Sequence, residues 1–174
     1  MPAGVCCTQF WLRKLHSLTG FLFLGYFVCY HLRGAAAYRI PELRYLLLFA
    51  PLAFHSIYGL WIAFEGRPNG IRYPWARNWM YLGQRLTAVF LLAFLFLHLG
   101  AVLFGAPWAD ASWYRPVWYL GVVAAAFHFG NGALGTAIHW GVTVGPHSQR
   151  VFAGLGTAGF LILAGYGLYT LSHF

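Results

Sequence analysis

The feature that most constrains this chain is a succession of apolar runs, each long enough to cross a bilayer, separated by short basic turns. A helical crossing needs about 20 apolar residues, because the hydrocarbon offers no water to satisfy loose backbone groups. Five such runs are read, at about 15–32, 44–64, 79–104, 116–140 and 151–172. They consume most of the 174 residues and leave only short connections. The expected fold is therefore an all-α membrane protein, with five transmembrane helices forming a single bundle over residues 1–174 and no sizeable domain outside it.

Composition enters as a test of that reading. Only 8% of residues are charged, whereas soluble domains carry about 25%. The net charge of +8 sets eleven Lys and Arg against Glu42, Glu65 and Asp110. In a soluble protein that balance suggests nucleic acid. Here the basic residues flank the apolar runs and act as topology signals and lipid contacts, so no nucleic-acid partner is expected. One side receives Arg13, Lys14, Arg67, Arg72, Arg77, Arg85 and Arg150, and the other Arg33, Arg39, Arg44 and Arg115. The excess places the N-terminus and the 65–78 loop in the cytoplasm and the C-terminus outside.

Local signals fill in the connections. The stretch Glu65 to Asn78, with Gly66, Pro68, Gly70 and Pro74, is a loop. So is Gly105 to Arg115, where Trp108, Trp113 and Tyr114 suit an interfacial aromatic belt. Gly141 to Arg150 is a turn, and the glycines of the last run predict close packing on a neighbour. Cys6, Cys7 and Cys29 lack metal-ligand spacing, and no Cys-x-x-Cys-His occurs for covalent haem attachment. No small-residue cleavage site follows the first run, so no cleavable signal is expected.

Four histidines, His31, His55, His98 and His128, lie inside four of the apolar runs. An ionisable ring at membrane depth is expensive unless it is paired or functional. At about 1.5 Å per residue, His31 and His98 both lie roughly 24 Å from the cytoplasmic ends of their helices. His55 and His128 lie about 15 to 18 Å above theirs. The pairs are thus His31 with His98, outward, and His55 with His128, nearer the cytoplasm. Two pairs of facing imidazoles are what two six-coordinate b-type haems require, with each histidine an iron ligand. His55 and His128 also share the pattern Phe-His-x-x-x-Gly, whose glycine offers bare backbone to a flat macrocycle. The bland alternative, a histidine that merely hydrogen-bonds a neighbouring carbonyl, suits one ring better than four at matched depths.

Other polar residues gather near the cytoplasmic ends. His16 and His139, with Ser17 and Arg85, suit contacts to haem propionates or to a quinone carbonyl. Interfacial snorkelling accounts for the same residues equally well. His147 and His173 are read as loop and terminus residues without assigned chemistry.

Several stretches then resemble a known family. They are Leu12-Arg13-Lys14-Leu15-His16-Ser17-Leu18-Thr19-Gly20, His55-Ser56-Ile57-Tyr58-Gly59, Asn78-Trp79-Met80-Tyr81 with Gln84-Arg85, Phe127-His128-Phe129-Gly130-Asn131-Gly132 and Trp140-Gly141-Val142-Thr143-Val144. In order and spacing they resemble the two-haem, five-helix cytochrome b membrane anchor of succinate:quinone oxidoreductases, the class of Bacillus-type succinate dehydrogenases and related fumarate reductases. The resemblance implies a bacterial cytoplasmic-membrane subunit carrying two haem b, ligated from helices one with three and two with four. It implies a flavoprotein subunit and an iron–sulfur subunit as partners, and electron exchange with a quinone, typically menaquinone. Such a subunit does not itself transform succinate. The second run has no acidic residue like the one some fumarate reductases use near the outer haem; Glu42, in the preceding loop, is the only nearby carboxylate. The side on which quinone binds stays open. Three rival readings remain beside this one, the last a purely structural anchor, which needs no buried histidine. The first is a di-haem anchor of a nitrate reductase or hydrogenase. The second is a cofactor-free transporter, against which the scarcity of intramembrane carboxylates counts.

Overall fold

The computed structural model describes residues 3–33, 42, 45–67 and 69–173, and the side chains of 9–26, 42, 45–67 and 69–173. Five long helices follow in order, and no strand occurs among the described residues. Helix α1 spans Ala3–Arg33. Helix α2 spans Tyr45–Glu65, α3 Ala76–Phe104, α4 Tyr114–His139 and α5 Pro146–Ser172. Four of them, α2 to α5, are long and apolar enough to cross a membrane among the described residues. The connection expected around Arg33 to Glu42 lies largely outside the described residues.

The helix starts differ from the sequence expectation, and the causes are local. Helix α1 begins at Ala3 rather than near residue 15, because nothing between Ala3 and Arg13 breaks a helix. Helix α5 begins at Pro146, which sits in the first turn where its missing N–H would have no helical partner. Ser148 Oγ accepts the Gly145 N–H at 3.2 Å and closes that end. Residues 146–150, expected as a turn, are therefore helical. Helix α2 opens with a π-helical turn, Tyr45–Phe49, which ends two residues before the buried Pro51. Proline has no N–H for the carbonyl four residues back and crowds it, and a widened turn relieves both problems.

The connection from α3 to α4 is tighter than a loop. Gly105 adopts the left-handed conformation at φ 57°, and its N–H returns to the Gly100 carbonyl. A short 3₁₀ turn, Pro107–Asp110, follows. Trp108 folds back onto α3, with Nε1 donating to the Leu97 carbonyl at 3.3 Å. Its ring covers the bare backbone of Gly100. Tyr114 is buried, and only Trp113 of the three aromatics is exposed. Of these three aromatics, Trp108 caps α3 and Tyr114 packs on Trp118 of its own helix.

Side-chain burial runs opposite to that of a soluble protein. Ile57, Phe96 and Ile162 are 73%, 70% and 69% exposed, while the buried residues include Ala126, Ala137, Ala164 and Thr19. Large apolar groups face outward and small ones line the contacts, as expected where lipid is the solvent. The chain divides into two compact units, Met1–Glu65 and Gly66–Phe174. In the first, α1 packs on α2. In the second, α4 packs on both α3 and α5. Gly130 of α4 and Gly156 of α5 meet so closely that a methyl group on either would overlap the other's carbonyl oxygen. Gly167 likewise meets Val122, whereas Gly154, Gly159 and Gly165 face open space. Close packing through the glycines of α5 holds at particular positions only.

Candidate functional site

In the first unit, two imidazoles lock α1 to α2. The His16 and His55 rings stack with centroids 4.0 Å apart and planes 12° from parallel. Each ring lies over a glycine of the opposite helix. A Cβ on Gly20 would stand 2.7 Å from His55 Cε1, and one on Gly59 would stand 2.8 Å from His16 Cε1. Phe23 also packs on His55, edge-on with ring centroids 5.4 Å apart. His55 Nδ1 lies 2.9 Å from the His16 carbonyl oxygen. A carbonyl can only accept, so Nδ1 carries the proton and the lone pair is on Nε2. The exposed ion pair Arg13–Glu65, at 2.8 Å, ties the two helices beyond this point.

His16 was expected at the cytoplasmic end of the first helix. Because α1 starts at Ala3, His16 stands about 20 Å along it, level with His55 to within about a turn. Ser17 donates to its own helix, at the Lys14 carbonyl 2.8 Å away. His31 falls in the last turn of α1, and its side chain lies outside the described residues.

In the second unit, a polar network surrounds His128 at the α3–α4 contact. Thr87 Oγ1 lies 2.8 Å from the Gly83 carbonyl, to which it donates, and 3.2 Å from His128 Nδ1. With its single proton directed at Gly83, the hydroxyl offers Nδ1 a lone pair, an arrangement that suits the Nδ1–H tautomer. Gln84 Nε2 donates to the His128 carbonyl at 3.0 Å. Asn131 Nδ2 donates to Gln84 Oε1 at 2.8 Å and to the Met80 carbonyl at 2.9 Å. The bare face of Gly132 meets the Gln84 amide, 3.1 Å from where a Cβ would stand. Gly59 and Gly132, the glycines of the Phe-His-x-x-x-Gly pattern, therefore each face a side chain of the neighbouring helix.

His98 stands in the same unit at another level. Eleven residues beyond Thr87 on α3, it is about 16 Å further along the helix. Its ring lies 5.2 Å from that of Trp118 and 5.7 Å from that of Phe94. Nearby, Trp118 Nε1 and Tyr114 Oη are buried without a hydrogen-bond partner. A buried orphan donor costs about 1–3 kcal/mol, so each suits an acceptor oxygen brought by another molecule.

The remaining candidates are not brought together. The Arg85 guanidinium lies over the Tyr81 ring at 3.4 Å and against the bare backbone of Gly66. His139, in the last turn of α4, is exposed. His147 belongs to the first turn of α5, and the His173 ring packs on Tyr169 at 4.3 Å.

Comparison with known proteins bears on these geometries. The chain is 31% identical, over 95% of its length and 97% of the relative's, to the succinate dehydrogenase cytochrome b558 subunit of Bacillus subtilis (strain 168). It belongs to that family. No family model and no solved structure matches it. The chain is accordingly a bacterial cytochrome b-type membrane subunit, all-α and multi-spanning.

For a cytochrome b-type subunit the tautomers matter. A haem of this class is held by side-chain ligation, and a ligating imidazole presents one nitrogen to iron while its other N–H is held by an acceptor. In His55 and His128 the Nδ1 nitrogen faces such an acceptor, the His16 carbonyl oxygen and the Thr87 hydroxyl respectively. Sequence reading missed Thr87, which lies 41 residues from His128. It also gave Gly20 no role. The signal for Gly20 was present as a repeat, His-Ser-x-x-Gly at both 16–20 and 55–59. For Thr87 the only signal was a hydroxyl in the middle of an apolar helix.

Proposed function

We propose that this chain is the di-haem cytochrome b anchor of a succinate:quinone oxidoreductase. In this reading it docks a flavoprotein subunit and an iron–sulfur subunit and passes electrons between them and membrane quinone, typically menaquinone. His31 and His98 ligate the outer haem, and His55 and His128 the haem nearer the cytoplasm, in the pairing read from sequence depth. The observation that carries the reading is the shared state of His55 and His128, each with Nδ1–H bound to an acceptor. The name of the Bacillus subtilis relative, a succinate dehydrogenase cytochrome, supplies the succinate side.

Bound there, each haem supplies a one-electron couple. The chain contributes neutral imidazoles of fixed tautomer, a low-dielectric surround and donors for acidic or carbonyl oxygens. Tyr114 and Trp118 suit that last role beside His98. His16, Ser17, Arg85 and His139 stand as proposed contacts to propionates or quinone on the cytoplasmic side, although Ser17 and Arg85 already serve their own helices. The location is the bacterial cytoplasmic membrane, with the N-terminus inside and the C-terminus outside.

Purification in mild detergent, with identification of co-purifying chains and a redox-titrated optical spectrum, tests this. The expected result is a flavoprotein, an iron–sulfur protein and two low-spin bis-histidine haems. Absence of a low-spin haem spectrum from the intact complex overturns it.

A further inference from the structure

We infer that Thr87 is a positioning residue for His128, holding the imidazole as the Nδ1–H tautomer and tuning the potential of the haem it ligates. The inference rests on the proposed haem ligation by His128 and adds a residue that acts through it.

The geometry is directional. Thr87 sits in α3 one turn after Gly83, and its hydroxyl spans two backbone carbonyls of its own helix, Gly83 at 2.8 Å and Gln84 at 3.2 Å. Both are pure acceptors and together fix the hydroxyl proton. What remains at Oγ1 is lone-pair density facing His128 Nδ1 at 3.2 Å. The site is therefore an acceptor for an imidazole N–H and not a donor to an imidazole lone pair.

The surrounding contacts hold both partners still. Gln84 fixes the His128 backbone through its carbonyl, and Asn131 fixes Gln84. Phe127, adjacent to His128, packs against the bare face of Gly83, 3.0 Å from where a Cβ would stand. The hydroxyl and the ring it orients thus lie in a braced contact between α3 and α4.

An acceptor on the distal N–H makes the imidazole a more basic ligand and favours the oxidised metal. Loss of such a partner typically costs about 10–100-fold in metal affinity or activity. If the oxidised state loses about tenfold in relative preference, a one-electron potential rises by about 59 mV.

The test compares Thr87→Val, nearly isosteric but unable to accept, with Thr87→Ser, which keeps the hydroxyl. Both are made in the complete complex. The readouts are the midpoint potentials of the two haems by optical redox titration and the low-spin ferric resonance by electron paramagnetic resonance. Thr87→Val should raise the potential of one haem and leave the other in place, and Thr87→Ser should stay near the parent. If Thr87→Val assembles poorly, Thr87→Ala removes the acceptor with less bulk and is read in the same way. Unchanged potentials with both haems present overturn the inference, and so does an equal shift in Thr87→Val and Thr87→Ser. A parent complex without bis-histidine haem fails differently: it removes the proposed function itself.

Discussion

The two units hold a histidine in the same tautomer by different means. Around His55 the device is shape. Gly20 and Gly59 clear two slots, two rings stack in them, and a backbone carbonyl becomes reachable as the acceptor. Around His128 the device is a side-chain network, in which Thr87 supplies the acceptor and Gln84 with Asn131 fixes the backbone. The difference teaches where each can be broken. A backbone carbonyl cannot be mutated away, so the first arrangement is vulnerable at its glycines. The second is vulnerable at its hydroxyl and amides.

The largest effect should come from removing the rings. If one haem spans the pair, His55→Ala and His128→Ala each lose the same component of the low-spin spectrum, and His98→Ala loses the other. Loss of different components from the first two variants would break the pairing read from sequence depth.

Next come the slots. Gly20→Ala places a methyl group against the His55 ring, which is already packed by His16 and Phe23. Overpacking of this kind costs about 1–3 kcal/mol, and the variant should lose haem content and thermal stability together. Gly132→Ala meets only the end of the flexible Gln84 side chain, so its melting temperature should fall less. If Gly132→Ala proves the more damaging, the contrast between shape and network is wrong.

Smaller still is the network's outer member. Gln84→Leu removes one hydrogen bond to the His128 carbonyl and one from Asn131. Interhelical hydrogen bonds in membranes average about 0.6 kcal/mol, so detergent-melting experiments should register a loss of about 1 kcal/mol with both haems retained. The smallest effect belongs to Arg13→Gln. Its bond to Glu65 is exposed, and such pairs contribute about 0–1 kcal/mol, reduced further by salt. A large loss of stability in that variant would mean that the ion pair, and not the stacked rings, secures α1 on α2.

Much of the architecture was determined by the sequence alone, because hydrocarbon permits so few solutions. Uninterrupted apolar runs with basic ends dictate helices. The four histidines inside apolar runs announced themselves by their cost in such surroundings, and the family motifs around them led to the relationship that the Bacillus subtilis subunit bears out. Helix starts were less evident. The basic pair Arg13 and Lys14 resembles a helix boundary and the polar residues 146–150 resemble a connection, and yet both stretches are helical.

Only the tertiary structure decided which polar groups serve which histidine. Thr87 meets His128 across 41 residues of sequence, and the His16 carbonyl meets His55 across 39. Such partnerships depend on the register of one helix against another, which is set by where glycines allow close approach. A hydropathy pattern repeats with each turn and says little about register. The sequence therefore named the imidazoles, and the packing of α1 on α2 and of α3 on α4 assigned their protons.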